Sequence, residues 1–248
     1  MELFVYDNYE TMSAEAAKKV MQLIDLKKDA VFCTASGDSP KGLYKEFVEQ
    51  IQKNKTDISN LNFIGLDEWL GMNGGDEGSC RFHLDNQLFR PLKINKNKIS
   101  FFDGRAHFPE QECERVDKTI LSLNGIDLAI VGLGMNGHVG MNEPGTSSSL
   151  HSHVAKIDPI TQQVGQKYFK ERKEIPGGLT LGIANLMEAK NVMLVVNDSR
   201  KAGILKQVLE EEISEKFPAS FLRNHPNFSV YADSDATRLL KNKDKNHH

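Results

Sequence analysis

Seven short apolar runs, rich in β-branched residues, alternate along the chain with segments that have helical spacing. Each run is typical of a strand buried on both faces. The helical segments include 13–26, 40–52, 113–123 and 200–213. Strand alternating with helix predicts an α/β fold whose parallel sheet is covered by helices on both faces. The runs are LFVY (3–6), AVFCTA (30–35), NFIGL (62–66), ISFF (99–102), DLAIVGL (127–133), NVMLVV (191–196) and FSVYA (228–232).

The 248 residues contain no linker rich in Pro, Gly or Ser and no internal repeat, so we expect one domain over 1–248. The least regular part is 141–180, where EPGTSSSLHSHV and KERKEIPGG flank a short helix predicted around 161–170. A connection of this length is unusual in an α/β domain, and such segments often act as lids. An ordinary surface loop is the alternative.

The charge balance excludes several classes of partner. The net charge is -3, so there is no basic excess for nucleic acid or for a membrane surface. No stretch approaches the roughly 20 apolar residues of a membrane span, and the first residues do not resemble a signal peptide. Three cysteines without a C-x-x-C pair indicate reduced thiols. These features predict a soluble cytoplasmic protein.

In an open α/β sheet the ligand site lies beyond the carboxyl ends of the strands. The second run is followed there by SGDSPKG (36–42), a turn that contains Ser36, Gly37 and Ser39 and opens a helix. Free N–H groups at a helix start suit an anion such as phosphate. An ordinary capped turn would have the same sequence.

The third run is followed by Asp67, Glu68 and the only tryptophan. A carboxylate at a strand end that is partly desolvated acquires a raised pKa, which suits a general base. The alternative is a helix N-cap aspartate followed by a solvated glutamate.

The fifth run is followed by GLGMNGHVGMNEPG (132–145). A turn between His138 and Glu143 would let the carboxylate bond one ring nitrogen and raise the basicity of the other. A buried structural histidine is the alternative. The stretch contains G-x-G-x-x-G, but the Pro and Gly that follow do not fit the continuing helix of a nucleotide fingerprint.

The sixth run is followed by NDSRKAG (197–203), which places Lys201 in the first turn of a helix. A cation there opposes the helix dipole and is better explained by an anionic ligand, although a solvated lysine remains the alternative. Together the four strand ends predict an acid/base enzyme that acts on a small phosphorylated substrate. The histidines lack a recognised metal-ligand spacing, so we expect no metal.

GLDEW together with GLGMNGHVGMNEPG resembles the glucosamine-6-phosphate deaminase/isomerase family. The resemblance runs from SGDSPKGLYKEF through LTLGIANLMEAKNVMLVV to FPASFLRNHPNF. The related 6-phosphogluconolactonases share the fold and the Gly-His pair but are not expected to carry NEP. The resemblance implies a three-layer α/β/α sandwich with a mostly parallel, modified Rossmann-type sheet.

The resemblance also implies site roles. Asp67 would move a proton between C2 and C1 of an open-chain hexosamine 6-phosphate, releasing ammonia, and His138, oriented by Glu143, would open the ring. No metal or other cofactor is implied. Relatives form monomers and hexamers, so a homo-oligomer stays open. The residues expected to hold the substrate and its phosphate are Ser36, Gly37, Ser39, Lys201, Lys167, Glu68 and Gly137.

Two positions depart from the family pattern. Asn136 stands where the glucosamine enzymes usually carry Asp, and an amide supplies no charge to the His138–Glu143 pair. Lys167 stands where an arginine is usual, and a lysine lacks the bidentate fork. With GLDEW, TQQ and FPASFL, Asn136 resembles the galactosamine-6-phosphate branch, which gives tagatose 6-phosphate. The alternatives are a glucosamine-6-phosphate deaminase, a 6-phosphogluconolactonase-type hydrolase and a non-catalytic sugar-phosphate sensor.

Overall fold

A seven-stranded sheet, parallel throughout, forms the centre of the molecule in the computed structural model, which describes residues 1–171 and 174–241. All seven predicted strands are present, and the predicted α/β class is therefore confirmed. The strands are β1 (Glu2–Tyr6), β2 (Val31–Thr34), β3 (Asn62–Gly65), β5 (Ile99–Ser100), β6 (Leu128–Gly132), β9 (Val192–Val196) and β10 (Phe228–Asp233). Their order across the sheet is β1-β10-β9-β6-β2-β3-β5.

Helices cover both faces of this sheet, which gives three layers. The helices are α1 (Tyr9–Leu26), α2 (Asp38–Asn54), α3 (Cys80–Leu84), α4 (Pro109–Ser122), α5 (Pro159–Gly165), α6 (Ile183–Glu188) and α7 (Ala202–Glu210). Alternate residues of β2 point to opposite faces of the sheet. Phe32 packs in one buried cluster with α1 and α2, while Val31 and Cys33 pack in the other with α4, α6 and α7.

The four long predicted helices are present with shifted ends. α1 begins four residues before the predicted start, because the side chain of Asn8 accepts a hydrogen bond from the backbone N–H of Thr11 and caps the helix there. The short helix predicted around 161–170 is α5, which begins after Asp158 and ends at Gly165. A 3-10 turn, Gln166–Tyr168, follows it.

The sequence patterns did not predict a second sheet, which is antiparallel and has the order β4-β8-β7. Its strands have three residues each: β4 (Asp67–Trp69), β7 (His153–Ala155) and β8 (Gly178–Thr180). Asp67 therefore begins a strand, and the alternative of a helix N-cap is wrong. Such short strands show no alternation of their own, and their pairing depends on distant partners.

The 141–180 segment contributes β7, α5 and β8, and its residues 172–173 lie outside the described residues, as do 242–248 of the expected single domain. The regular elements explain why this stretch is long for a connection. Within 1–171 and 174–241, no helix combines the length and apolar character needed to cross a membrane.

Candidate active site

Four neighbouring strands at the centre of the parallel sheet carry the predicted site residues. The strands β9, β6, β2 and β3 lie side by side, and the segments that follow their carboxyl ends hold Lys201, His138, Ser39 and Asp67 respectively. Because these neighbouring strands are parallel, the four segments begin at one edge of the sheet.

The loop after β6 folds tightly around its histidine. The backbone N–H of Gly134 donates to the carbonyl oxygen of His138 over 2.9 Å, and Gly137 adopts φ +87° within this turn. A Cβ atom on Gly134 would lie 2.3 Å from the His138 ring. The glycine at 134 is therefore required, because any side chain there would displace the imidazole.

The predicted pair of His138 and Glu143 is present, and Asn136 joins it. Oε2 of Glu143 lies 3.3 Å from Nδ1 of His138 and accepts a hydrogen bond of 2.8 Å from the Asn136 side-chain amide. Oδ1 of Asn136 accepts from the backbone N–H of His138 over 3.2 Å. We call these three side chains the relay.

The electrostatics of the relay keep its carboxylate ionised. Burial alone would raise the pKa of Glu143, but hydrogen bonds from His138 and Asn136 and the charge of His138 outweigh burial, so the pKa is lowered. An ionised Glu143 favours a proton on Nδ1 and leaves Nε2 as the basic nitrogen.

Thr161 is a further member of the site that sequence reasoning missed. It lies on α5, and its hydroxyl lies 3.0 Å from Nδ1 of His138. A threonine in a short helix carries no signal of this contact, which depends on how the 141–180 segment folds back.

The loop after His138 is fixed by residues near β8. The side-chain amide of Asn142 donates to the carbonyl oxygens of Val139 and Leu181, each over 2.8 Å. The hydroxyl of Thr180 accepts from the backbone N–H of Met141 over 3.1 Å. The asparagine of the NEP motif therefore holds the loop that presents Glu143.

Asp67 is buried at the start of β4 and faces the same site. Burial raises its pKa to about 6, although a hydrogen bond from the Cys80 side chain and the charge of His138 oppose the rise. A carboxylate with a pKa in this range, close to neutral pH, is suited to taking and returning a proton.

Glu68 points its carboxylate into the protein. Oε1 accepts from the backbone N–H groups of Trp69 and Cys80, each over 2.9 Å, and Oε2 accepts from that of Arg81 over 3.0 Å. Burial raises its pKa to about 7 against these donors. Because both oxygens are engaged, we assign Glu68 to anchoring the start of α3 beside Asp67 and not to the expected substrate contact.

Residues 36–39, called here the phosphate loop, lead into α2. Gly37 is its N-cap, with φ +131°, and has no side chain to cap the helix start. The hydroxyl of Ser39 donates to Oδ1 of Asn197 over 2.6 Å, and the side chain of Ser36 lies near the thiol of Cys80. This open helix start is suited to an anion.

Lys201 lies beside this loop, and no carboxylate among the described residues forms an ion pair with it. It belongs to a 3-10 turn before α7, and its Nζ donates to the carbonyl oxygen of Leu133 over 2.6 Å and to Oγ of Ser39 over 3.3 Å. Burial, with the charge of Lys167, lowers its pKa to about 8. Both of these acceptors are neutral, so an anionic ligand would supply the missing countercharge.

The remaining predicted residues occupy different positions. Lys167 follows α5, and its Nζ contacts Oδ2 of Asp38 in the phosphate loop. Gly137 lies at the turn before His138, where its carbonyl oxygen accepts from Ala219. Among the described residues, no three His, Cys, Asp or Glu side chains are grouped to hold a metal ion.

Comparison with known proteins places this chain in a family. The model described as "Glucosamine-6-phosphate isomerases/6-phosphogluconolactonase" matches residues 7–230. The glucosamine-6-phosphate deaminase of Geobacillus sp. (strain WCH70) is 36% identical over 241 residues, which cover 97% of this chain and 96% of that protein. The enzyme of the same name from Clostridium tetani is also 36% identical, over 97% of this chain and 100% of that protein.

Solved structures give the same result for the fold. A monomeric glucosamine-6-phosphate deaminase superposes with a TM-score of 0.93 at 32% identity, over 96% of this chain and 100% of that chain. The 6-phosphogluconolactonase of Trypanosoma brucei has a TM-score of 0.76 at 20% identity, over 96% and 97% of the two chains. The second likeness concerns the fold alone.

Proposed function

Because the chain belongs to the glucosamine-6-phosphate isomerase/6-phosphogluconolactonase family, we propose that it is an amino-sugar-phosphate deaminase/isomerase that converts glucosamine 6-phosphate to fructose 6-phosphate and ammonia. The observation that carries this proposal is the pairing of a buried Asp67, with its raised pKa, and the His138–Glu143 relay at one edge of the sheet. Deamination with isomerisation needs a base that removes a proton from carbon, and it needs a group that opens the sugar ring.

The phosphate of the substrate would bind at the phosphate loop. The N–H groups at the start of α2 and the Lys201 ammonium meet there. Their position beside the relay would hold the sugar ring against His138. The hydroxyl of Ser39, which already contacts Lys201, would complete the anion site.

Ring opening would be the work of His138. With Nδ1 directed at Glu143, Nε2 is free to take the proton from O1 and to return one to the ring oxygen. The opened sugar has an aldehyde at C1, which acidifies the C–H bond at C2. This step leaves no need for a metal ion.

Asp67 would then move the proton. It takes the proton from C2 while O1 takes one from the solvent, which gives an enolamine between C1 and C2. It then returns its proton to C1, which gives the protonated imine of the ketose. Water adds to C2 of this imine and passes one proton to the nitrogen and one to the solvent, so that ammonia leaves and the ketone remains. One carboxylate near neutral pKa is sufficient for both transfers, because it ends the cycle ionised as it began.

The choice between the two hexosamines rests on the relatives and on Asn136. Relatives at 36% identity over nearly the full length are named glucosamine-6-phosphate deaminases. Both polar atoms of Asn136 make hydrogen bonds within the relay, so we assign this residue to the relay and not to reading the configuration at C4. The sequence expectation of a galactosamine branch rested on this residue together with GLDEW, TQQ and FPASFL. The names of the relatives lead us to favour glucosamine 6-phosphate instead.

The test is ammonia and ketose release by the purified protein, with glucosamine 6-phosphate and galactosamine 6-phosphate supplied separately. We expect equal amounts of ammonia and fructose 6-phosphate, and a higher kcat/KM for the glucosamine compound. A preference for galactosamine 6-phosphate would overturn the substrate assignment. Hydrolysis of 6-phosphogluconolactone without ammonia from either amino sugar would overturn the reaction class.

A further inference from the structure

The phosphate loop contains an acidic side chain that the proposed reaction does not use. Asp38 is the first residue of α2 and follows Gly37, the N-cap of that helix. A carboxylate at a helix N-terminus interacts favourably with the dipole. In a loop that receives a phosphate, however, the same carboxylate adds a like charge near the ligand.

Asp38 lies close to the cations that a phosphate would use. Its Oδ2 contacts Nζ of Lys167, a residue 129 positions away in the chain. Its charge also acts on Lys201 and on the hydroxyl of Tyr168, which lies over Gly37. The Asp38 carboxylate thus contacts Lys167 and acts through its charge on Lys201, the two lysines beside the phosphate loop.

The contact between Asp38 and Lys167 is exposed enough for a phosphate to replace Asp38 as the partner of Lys167. The exposed fraction of the side chain is 62% for Asp38 and 45% for Lys167. Ion pairs of this kind contribute little to stability, because water and salt screen them. A phosphate dianion that also receives hydrogen bonds from the start of α2 and from Lys201 has more partners than Asp38 has.

We propose that Asp38 sets the affinity of the site for phosphate, by holding Lys167 in the free enzyme and giving it up to the phosphate of the substrate. The inference rests on the proposed function, since it takes the phosphate to bind at residues 36–39. The competition between Asp38 and phosphate for Lys167 lowers the affinity of the site for every phosphorylated ligand. Because the product keeps the phosphate, Asp38 also speeds product release.

The first test compares the wild type with Asp38→Asn. We measure the Kd of inorganic phosphate by calorimetry, together with the KM of glucosamine 6-phosphate and inhibition by fructose 6-phosphate. We expect the Kd, the KM and the inhibition constant each to fall about threefold, with the gain shrinking as salt is added. An unchanged or increased Kd for phosphate would overturn the proposal.

Two controls separate this exchange from a change in overall charge. Asp38→Glu keeps the carboxylate, so its Kd for phosphate should be closer to the wild-type value than the Kd of Asp38→Asn. Glu77→Gln removes one negative charge from another pair that includes a residue of the 141–180 segment, since Glu77 lies 2.7 Å from Nζ of Lys170. It should leave the Kd unchanged. An equal gain in Glu77→Gln would overturn the proposal.

A double-variant cycle tests the role of Lys167. Lys167→Met should weaken phosphate binding, and adding Asp38→Asn to it should restore little or nothing. An equal gain from Asp38→Asn in both backgrounds would overturn the exchange, because it would show that Asp38 acts without Lys167. The phosphate titration needs no turnover, so a wild type that releases no ammonia contradicts the proposed function alone.

Discussion

The side-chain amide of Asn136 donates a 2.8 Å hydrogen bond to Oε2 of Glu143, the oxygen that faces the His138 ring. From the sequence, the amide was expected only to deprive the relay of charge. In the structure it is a donor that favours the ionised form of Glu143. The amide therefore stabilises the carboxylate on which the orientation of His138 depends.

Asn136→Leu should shift the acid limb of the pH profile. The pKa of Glu143 is lowered in the folded protein, so activity is lost as the pH falls through that lowered value. Removing the donor raises the pKa of Glu143, because the hydrogen bond from Asn136 favours the ionised carboxylate. The acid limb of the pH profile of kcat/KM should therefore move to higher pH in this variant.

Asn136→Asp, which places a second carboxylate against Glu143, should move the same limb further in the same direction. An acid limb that stays in place in both variants would contradict the role assigned to the amide. The profile is measured with glucosamine 6-phosphate at subsaturating concentration.

Lys201 should limit binding at high pH. Its pKa of about 8 means that the free enzyme loses this charge as the pH rises through that value, and kcat/KM should fall with it. Lys201→Arg keeps the cation at every accessible pH and should remove this limb, at some cost in affinity. The same alkaline limb in both proteins would show that another group is responsible.

Gly134→Ala should disable the site without unfolding the protein. The new Cβ would lie 2.3 Å from the His138 ring, so the ring must move. A misplacement of about 1 Å at a catalytic group costs about 100-fold in rate, so we expect kcat/KM to fall by about that factor. The matched control is Gly203→Ala on α7, where a Cβ meets nothing within 4 Å. The control should retain activity and gain up to about 1 kcal/mol in stability. Wild-type activity in a folded Gly134→Ala protein would contradict the packing described here.

Local sequence patterns predicted the parts of the molecule that local interactions determine. The seven central strands followed from apolar runs, and the positions of Asp67, His138 and Lys201 at one edge followed from their places after strand ends. The strands require only the local pattern of apolar residues. The common edge requires only the rule that the carboxyl ends of parallel strands lie together.

Contacts between distant residues were beyond those patterns. Thr161 reaches His138 only because the 141–180 segment folds back, and Asp38 meets Lys167 across 129 positions. The orientation of Glu68 could not be inferred either, because its carboxylate oxygens accept from backbone N–H groups at the start of α3, which is distant in the sequence. In each case the sequence offers a polar residue whose partner is decided by tertiary packing.

The most direct test of the account is ammonia release from glucosamine 6-phosphate by the wild type and by Asp67→Asn, measured side by side on pure proteins. The raised pKa of Asp67 reduces stability as the pH rises from about 4 to about 6, because the charged form is disfavoured in the folded state. Asparagine removes that penalty, so the variant should melt no lower than the wild type at pH 7.

We predict turnover by the wild type and a loss of at least about 100-fold in kcat for the folded variant, as expected when a general base is removed. Ammonia release by Asp67→Asn at the wild-type rate would contradict the central claim that Asp67 carries the proton between C2 and C1.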